Sequence, residues 1–385
     1  MSPMLFWIAL LSLLIWIYLF LFHGRFWWIR SLLPRARPSP TGARVAVIVP
    51  ARDEADVVAR SVTSLLSQTG LGWLHIFLID DSSTDGTAEA AQGAAEAAGA
   101  AKSLNVLPGR PLPPGWSGKL WAVEQGVAHA LQVNADFFLL TDADIDHAPN
   151  SVATLVEIAQ QGPYDLASFM VRLHCRTFAE RALIPAFVFF FLKLYPPRWI
   201  ASPRLPMAGA AGGSILIRPQ ALARAGGIEN IRREVIDDCA LALRVKQSGG
   251  RIWLGMSDET KSIRPYGSWR GIGQMISRGA FNQLHHSAWM LLLAIAGLTV
   301  TYLLPPALVL FNRHWPAALG AAAWLLMVVC FLPMVRFYRL NPLWALALPL
   351  VAVFYMGAAV HSAVRYWAGR GGEWKGRIQD PSAKL

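Results

Sequence analysis

An α/β domain with a largely parallel sheet, attached to membrane-spanning helices, is the architecture this sequence predicts. Three observations carry it. The 385 residues are 54% hydrophobic and only 15% charged, too apolar for an ordinary soluble chain of this length. Uncharged runs near the length of a bilayer crossing lie towards both ends. Between them, buried-strand patterns alternate with helical ones, which implies βαβ units.

The first apolar run is Met4 to Phe22. A cleaved signal would carry bases before its apolar core and small residues after it. Here the order is reversed: "MSPMLFW" has no base, and Arg25, Arg30, Arg35, Arg37 and Arg44 follow. The expectation is a retained anchor over 1–23 and a basic juxtamembrane linker over 24–43, with the arginines on the cytoplasmic side.

The central domain, 44–265, opens on "RVAVIVPARDEA", a buried strand that leaves the sheet at Pro50. "DEADVVARSVTSLLSQ" has apolar residues at helical spacing. "LHIFLIDDSSTDGT" is a second strand ending in Asp80 and Asp81. Its turn, Ser82 to Thr87, holds cap-type residues and precedes an alanine-rich helix. Asn105 to Leu107 is a third strand, "GWSGKLWAVEQGVAHALQ" a loop entering a helix, and "DFFLLTDAD" a fourth strand. Ligands of such sheets bind at the carboxyl ends of the strands. Asp53 with Glu54, Asp80 with Asp81, and Asp142 with Asp144 all fall on that rim. Polar loops explain any single pair, but three successive strands delivering acids to one edge point to an active site.

"FFLLTDADIDH" contains Asp142, Asp144 and Asp146, and so must be tested as a calcium loop. Such a loop needs glycine at its sixth position and glutamate at its twelfth. His147 and Ala153 stand there, and the calcium reading fails. The surviving reading is a two-carboxylate site that holds Mg2+ or Mn2+ against a diphosphate, with phosphate and water filling the other positions. Lys119, at the start of a helix, adds a cation and N–H donors where a phosphate can rest. No Walker A loop is present, and no G-x-G-x-x-G follows the first strand, so ATP hydrolysis and NAD chemistry lack their signatures.

"VPARDEA", "IDDSSTDGT", "GKLWAVEQG" and "TDADID", in this order, resemble the membrane-bound family 2 glycosyltransferases of GT-A fold, a Rossmann-like nucleotide-diphospho-sugar transferase fold. "MAGAAGGSILIRPQALARAGG" looks like the acceptor-side glycine segment of that family, and "VIDDCALALRVKQSGGRIWLG" like its catalytic-base segment. "GWSGKLWAVEQG", "TDADIDH" and "SRGAFNQL" resemble the hopene-associated subgroup. The resemblance covers roughly Arg44 to Leu284.

It implies roles for the matching positions. Pro50, Arg52, Asp53 and Glu54 would lie by the donor nucleotide, Asp81 would contact a uracil-type base, and Lys119 and Asp142 would serve the donor. Asp142 and Asp144 would hold the metal. Asp238 would take the proton from an acceptor hydroxyl as it attacks the anomeric carbon, inverting it. Burial and Asp237 would raise the pKa of Asp238 towards neutrality. Gly212, Gly213, Arg278 and Trp269 would line the acceptor or diphosphate side. Two departures stand out. Asp237-Asp238 replaces the usual Glu-Asp, leaving open which carboxylate is the base. In the Gln/Arg-x-x-Arg-Trp motif Gly279 replaces tryptophan after Arg278, with Trp269 as the compensating aromatic. On residue pattern alone, Asp237-Asp238 also reads as a helix N-terminus stabilised by its dipole.

The rest of the chain concerns the membrane. Ala182 to Trp199 is too short an apolar run to span, and reads as a core helix or, with its aromatics and bases, an interfacial one; the interfacial reading is favoured. Residues 266–287 form an interfacial segment, where His285 and His286 suit a polar face better than a metal site. Ala288 to Phe311, Trp315 to Val335 and Pro342 to Val360 give two or three spans within 288–364, the middle one the weakest. A basic tail, 365–385, contains "GGEWKGR". Three late spans after an N-out anchor would put this tail outside, against the positive-inside rule, unless one span is re-entrant.

The net charge of +11 suits anionic headgroups, since no Arg-rich arm or aromatic RNA-binding signature argues for nucleic acid. Cys175, Cys239 and Cys330 are too dispersed for a disulfide framework or zinc, and suit a cytoplasmic domain. The expectation is a multi-pass enzyme of a bacterial-type inner membrane, with its catalytic domain cytoplasmic. It would move a sugar from a nucleotide donor, expected to be a UDP-sugar, to a lipid, isoprenoid or hopanoid hydroxyl. Two other readings remain: a processive polysaccharide synthase, and a non-catalytic membrane protein that binds nucleotide-sugar or lipid. The departed Gln/Arg-x-x-Arg-Trp motif argues against the first, and the full set of carboxylates against the second.

Overall fold

The computed structural model describes residues 3–34, 38–369, 373–374 and 377–378. The chain begins with helix α1 (Pro3–Leu21), then enters an α/β domain. Its elements are β1 (Arg44–Ala51), α2 (Val58–Leu66), β2 (Trp73–Asp80), α3 (Thr87–Ala97), β3 (Leu104–Pro108), α4 (Gly118–Ala130), β4 (Phe137–Leu140), β5 (Ile145–Asp146) and α5 (Ser151–Gln161). They continue with β6 (Leu166–Arg172), α6 (Phe178–Leu194), α7 (Pro197–Ala201), β7 (Ile215–Ile217), α8 (Pro219–Arg224), α9 (Asp237–Gln247) and β8 (Ile252–Ser262).

Eight strands form one sheet in the order β3-β2-β1-β4-β7-β6-β8-β5. The half built from the first four strands is parallel, as the alternating pattern requires. The other half is mixed: β7 runs antiparallel to β4 and β6, and β5 antiparallel to β8. The expectation of a largely parallel sheet therefore holds for the half built from β1 to β4 and not beyond it. Alternation along β1 divides its side chains between two cores. Val45, Val47 and Val49 pack with α2, α3 and α5. Ala46 and Ile48 face a larger core that continues through α6 to Trp16 of α1 and to Phe331.

α6 is the bridge. A capping box at Thr177 and Glu180 starts it, and Leu183, Ile184, Val188, Phe189 and Leu192 are fully buried along it. The favoured interfacial reading of Ala182 to Trp199 is corrected here: most of its apolar surface is covered by protein, which is the core alternative. Sequence periodicity cannot separate these cases, because both present large apolar residues.

The remaining helices are α10 (Trp269–Ala280), α11 (Ala288–Leu298), α12 (Leu304–Phe311), α13 (His314–Phe337) and α14 (Leu348–Trp367). A π-helical stretch, Thr299–Leu303, makes α11 and α12 one continuous run. Widening a helix frees carbonyls from the usual ladder. Ser12 and Trp16 of α1 donate to two of them, Val300 O at 2.8 Å and Thr301 O at 2.7 Å. Among the described residues four helices are long and apolar enough to cross a membrane: Met4–Leu21, Ala288–Phe311, His314–Phe337 and Pro342–Trp367. The middle C-terminal run, weakest by sequence, is a full helix of 24 residues. Arg35, Arg37 and most of the basic tail lie outside the described residues; within "GGEWKGR", 373–374 pair with 377–378 as a short antiparallel ladder.

Candidate active site

The carboxyl edge of the parallel half collects the predicted carboxylates. β4 ends at Leu140, and Thr141 then fixes the turn. Its hydroxyl donates to Gly213 O at 2.7 Å and accepts from His147 Nε2 at 3.0 Å. His147, in the loop after β5, is buried, and burial lowers its pKa to about 3. A neutral imidazole is therefore part of the scaffold under the acidic turn.

Lys119, in the first turn of α4, bridges two acids: its Nζ lies 2.9 Å from Asp142 Oδ1 and 3.0 Å from Asp237 Oδ2. Burial opposes its charge, but Asp142 and Asp237 hold it protonated, above the usual lysine range. Asp238, the next residue, is held differently. Its Oδ2 accepts from Gly212 N at 2.8 Å and its Oδ1 from Cys239 N at 2.7 Å. Burial first, and the Asp237 charge second, raise its pKa to about 6. A Cβ on Gly212 would come within 3.5 Å of Asp238 and 3.8 Å of Asp142. Both carboxylates thus face this glycine across a cleft lined by Pro50, Lys119, Asp142, Gly212, Asp237 and Asp238.

Asp144 is held from the far edge of the sheet. Ile263 N donates to its carbonyl at 2.9 Å, and Ser262 Oγ and Arg264 Nε each lie 3.3 Å from its Oδ2. Arg264 also pairs with Glu54. Burial, then the neighbouring Asp142 charge, raises the pKa of Asp144 to about 6. Two interacting carboxylates with incompletely offset charge make a site for a cation.

Residues 46–225 match the family model for Glycosyl transferase family 2. Over these residues, most of the α/β domain, the chain is similar to that family. A solved mannosyltransferase from Pyrobaculum calidifontis, in complex with GDP-Man and Mn2+, is similar over 93% of this chain and 98% of its own, at 19% identity and a TM-score of 0.53. That likeness shows a GT-A glycosyltransferase fold. A glucosyl-3-phosphoglycerate synthase from Mycobacterium tuberculosis, in complex with Mn2+, UDP and phosphoglyceric acid, is similar at 17% identity over 58% of this chain and 75% of its own, with a TM-score of 0.37.

Within the α/β domain the other expected residues divide. Arg52 packs on Asp81, donating to its carbonyl at 2.6 Å, with the carboxylate 3.5 Å away. Asp53 adopts a positive φ of 50°, and its Oδ1 accepts from Thr84 N at 3.0 Å. It thereby ties the loop after β1 to the loop after β2. Asp146 stands apart, in an exposed pair with Arg60 at 2.6 Å. Gly213 backs onto Val171 and Ile145, where a Cβ would come within 3.0 Å and 3.3 Å, and its carbonyl anchors Thr141. It thus lies beneath the acidic turn, whereas Gly212 faces the cleft.

Trp269 is 44% exposed and meets Phe178 and Phe354. Its ring neighbours are therefore aromatic side chains of α6 and α14. Arg278 sits on the last turn of α10 and makes no ion pair among the described residues. Sequence reasoning missed Arg264, Ser262 and Glu180. Only "SIRPYG", a base directly after a strand, hinted at the first two.

Proposed function

We propose that the chain transfers a sugar from a nucleotide-diphospho-sugar to the hydroxyl of a lipid or isoprenoid, by direct inverting displacement, with Asp238 as general base. One observation carries this reading: Asp238 is half-buried at the sheet's reactive edge, oriented by Gly212 N–H and raised to about pKa 6. That is a carboxylate tuned to accept a proton near neutral pH. Asp237, occupied by Lys119, is the less available of the two.

The donor's diphosphate fits between Lys119, at a helix N-terminus, and the Asp142–Asp144 turn. Asp142 and Asp144 would hold Mg2+ or Mn2+. Among the described residues no third His, Cys, Asp or Glu completes a metal cluster there, which suits a cation whose other ligands come from phosphate and water. Such a cation neutralises charge on a departing diphosphate. Lys119 can stabilise the same charge, and Arg264 keeps Asp144 aimed at the cleft. Asp81, with Arg52, closes the end where a nucleobase would rest. Trp269, on α10, meets Phe354 of α14, and Arg278 is exposed on the last turn of the same helix at the proposed lipid side. The four apolar helices support a membrane-borne acceptor and a multi-pass enzyme with its domain on the cytoplasmic side of an inner membrane. The resemblance of "GWSGKLWAVEQG" and "SRGAFNQL" favours a hopanoid-type acceptor.

The test uses detergent-purified chain with UDP- and GDP-sugars, with and without Mn2+, and native lipid extract, reading product masses. Asp238→Asn is expected to abolish transfer while leaving donor binding within about twofold. Undiminished turnover by this variant would overturn the mechanism. A product that partitions only into water would overturn the lipid acceptor.

A further inference from the structure

Lys246, on the last turn of α9, lies in a ring of main-chain oxygens. Its Nζ donates to Ile200 O at 2.6 Å, Met207 O at 2.7 Å and Ser202 O at 2.9 Å, with Trp199 O at 3.5 Å. An ammonium has three donors, and these short contacts use all of them. Among the described residues it forms no ion pair with an Asp or Glu, unlike Lys119 with its two carboxylates. Carbonyl rings of this kind otherwise surround compact hydrated cations stripped of their water. Here the cation is a side chain of the helix that opens on Asp237 and Asp238.

What the ring holds matters for the site. The carbonyls belong to α7 and the irregular turn after it, which carries Pro203 and Pro206 and exposes residues 203–206. From Met207 the chain runs back along α9 towards the cleft. Ala208, Ala210 and Ala211 are buried, Cys239 Sγ donates to Ala210 O at 3.6 Å, and Gly212 N–H reaches Asp238. One segment, 199–213, is therefore fastened to both ends of the same helix. At the far end Ile200 is buried in the core, and the ammonium of Lys246 ties Ile200, Ser202 and Met207 to α9.

The geometry points to Lys246 as a positioning residue, which through this carbonyl ring sets where segment 199–213 lies along α9 and hence where Gly212 N–H holds Asp238. This rests on the reading of Asp238 as the base. A planar guanidinium cannot converge three N–H groups on such a ring, so lysine is specifically required.

The experiment combines Lys246→Ala and Lys246→Arg with hydrogen exchange and chemical rescue. In Lys246→Ala, amide exchange over 199–213 should accelerate by about tenfold or more while 44–147 stays unchanged. Transfer to lipid extract should fall by about tenfold or more, with binding of UDP and GDP in the presence of Mn2+ unaltered. Added n-propylammonium, which replaces the deleted atoms, should restore both protection and transfer. Tetramethylammonium, which has no N–H, should restore neither. Lys246→Arg should show the same changes to a smaller degree, and serves if the alanine variant does not fold. Unchanged exchange, or equal rescue by both ions, would overturn the proposal. Failure of the unaltered chain to transfer sugar would count against the proposed reaction instead, and the exchange and rescue measurements would still decide the role of Lys246.

Discussion

Asp237 and Asp238 are chemically identical neighbours, and their surroundings separate them. Asp237 shares Lys119 with Asp142. Asp238 has two backbone N–H donors but no cation within ion-pair distance among the described residues, and burial raises its pKa to about 6. A base must be unprotonated to act, so transfer at saturating donor should fall as pH drops through about 6, by about tenfold per unit below it. Asp237→Asn removes the like charge that helps to raise Asp238. The ionised form is then favoured, and the acid limb of the rate profile should move to lower pH with activity partly retained. An unmoved limb would mean that some other group sets it. The residue scale is also where sequence reading reached its limit. "TDADID" marked Asp142 and Asp144 by spacing alone, whereas Arg264 lies over a hundred positions away and reaches Asp144 only because β8 pairs with β5.

At the scale of elements, α6 shows how one carboxylate can join two parts of a fold. Glu180 is fully buried. It accepts from Arg176 N, Thr177 N, His174 Nδ1, Tyr266 N and Gly267 N, all within 3.2 Å. Burial alone would raise its pKa, but Thr177, Arg176, His174 and Tyr266 together hold it at about 2. A depressed carboxylate contributes stability that is present above its unfolded pKa and lost as pH falls through its folded one. Glu180→Gln should therefore destabilise the detergent-solubilised chain by about 3 kcal/mol near neutral pH, since several charge-assisted bonds are weakened at once. The difference from the unaltered chain should shrink below pH 4.5 or so. A thermal shift series across pH reads both. In sequence, Thr177 and Glu180 form an ordinary capping box. That the same carboxylate fastens the loop carrying Arg264 is a matter of packing.

For the whole molecule, the sheet and the apolar helices share a core. Residues such as Trp16 and Phe331 belong to the same buried cluster as Ile48 and Phe138 of the sheet. Ser12 and Trp16 add hydrogen bonds from α1 to the π-helical stretch. The domain is thus expected to resist release from its helices. In membranes, alkaline carbonate washing should leave the full chain in the pellet, as integral insertion requires. Release into the supernatant would show that the apolar helices do not insert.

Read by itself, the sequence determined the order and type of the elements from β1 to β4, the acids on the sheet's edge, and the four apolar runs. These follow from local periodicity and from residue types that recur over a few positions. Tertiary structure alone decided that the sheet turns mixed beyond β4, that α6 is buried rather than interfacial, that Gly213 lies beneath the acidic turn and that Trp269 packs among aromatic side chains. It also decided which of two adjacent aspartates pairs directly with Lys119, and that Lys246 holds a distant loop. Each of these depends on groups far apart in the chain meeting in space, where burial, hydrogen-bond partners and charge are set by the fold rather than by neighbours in sequence.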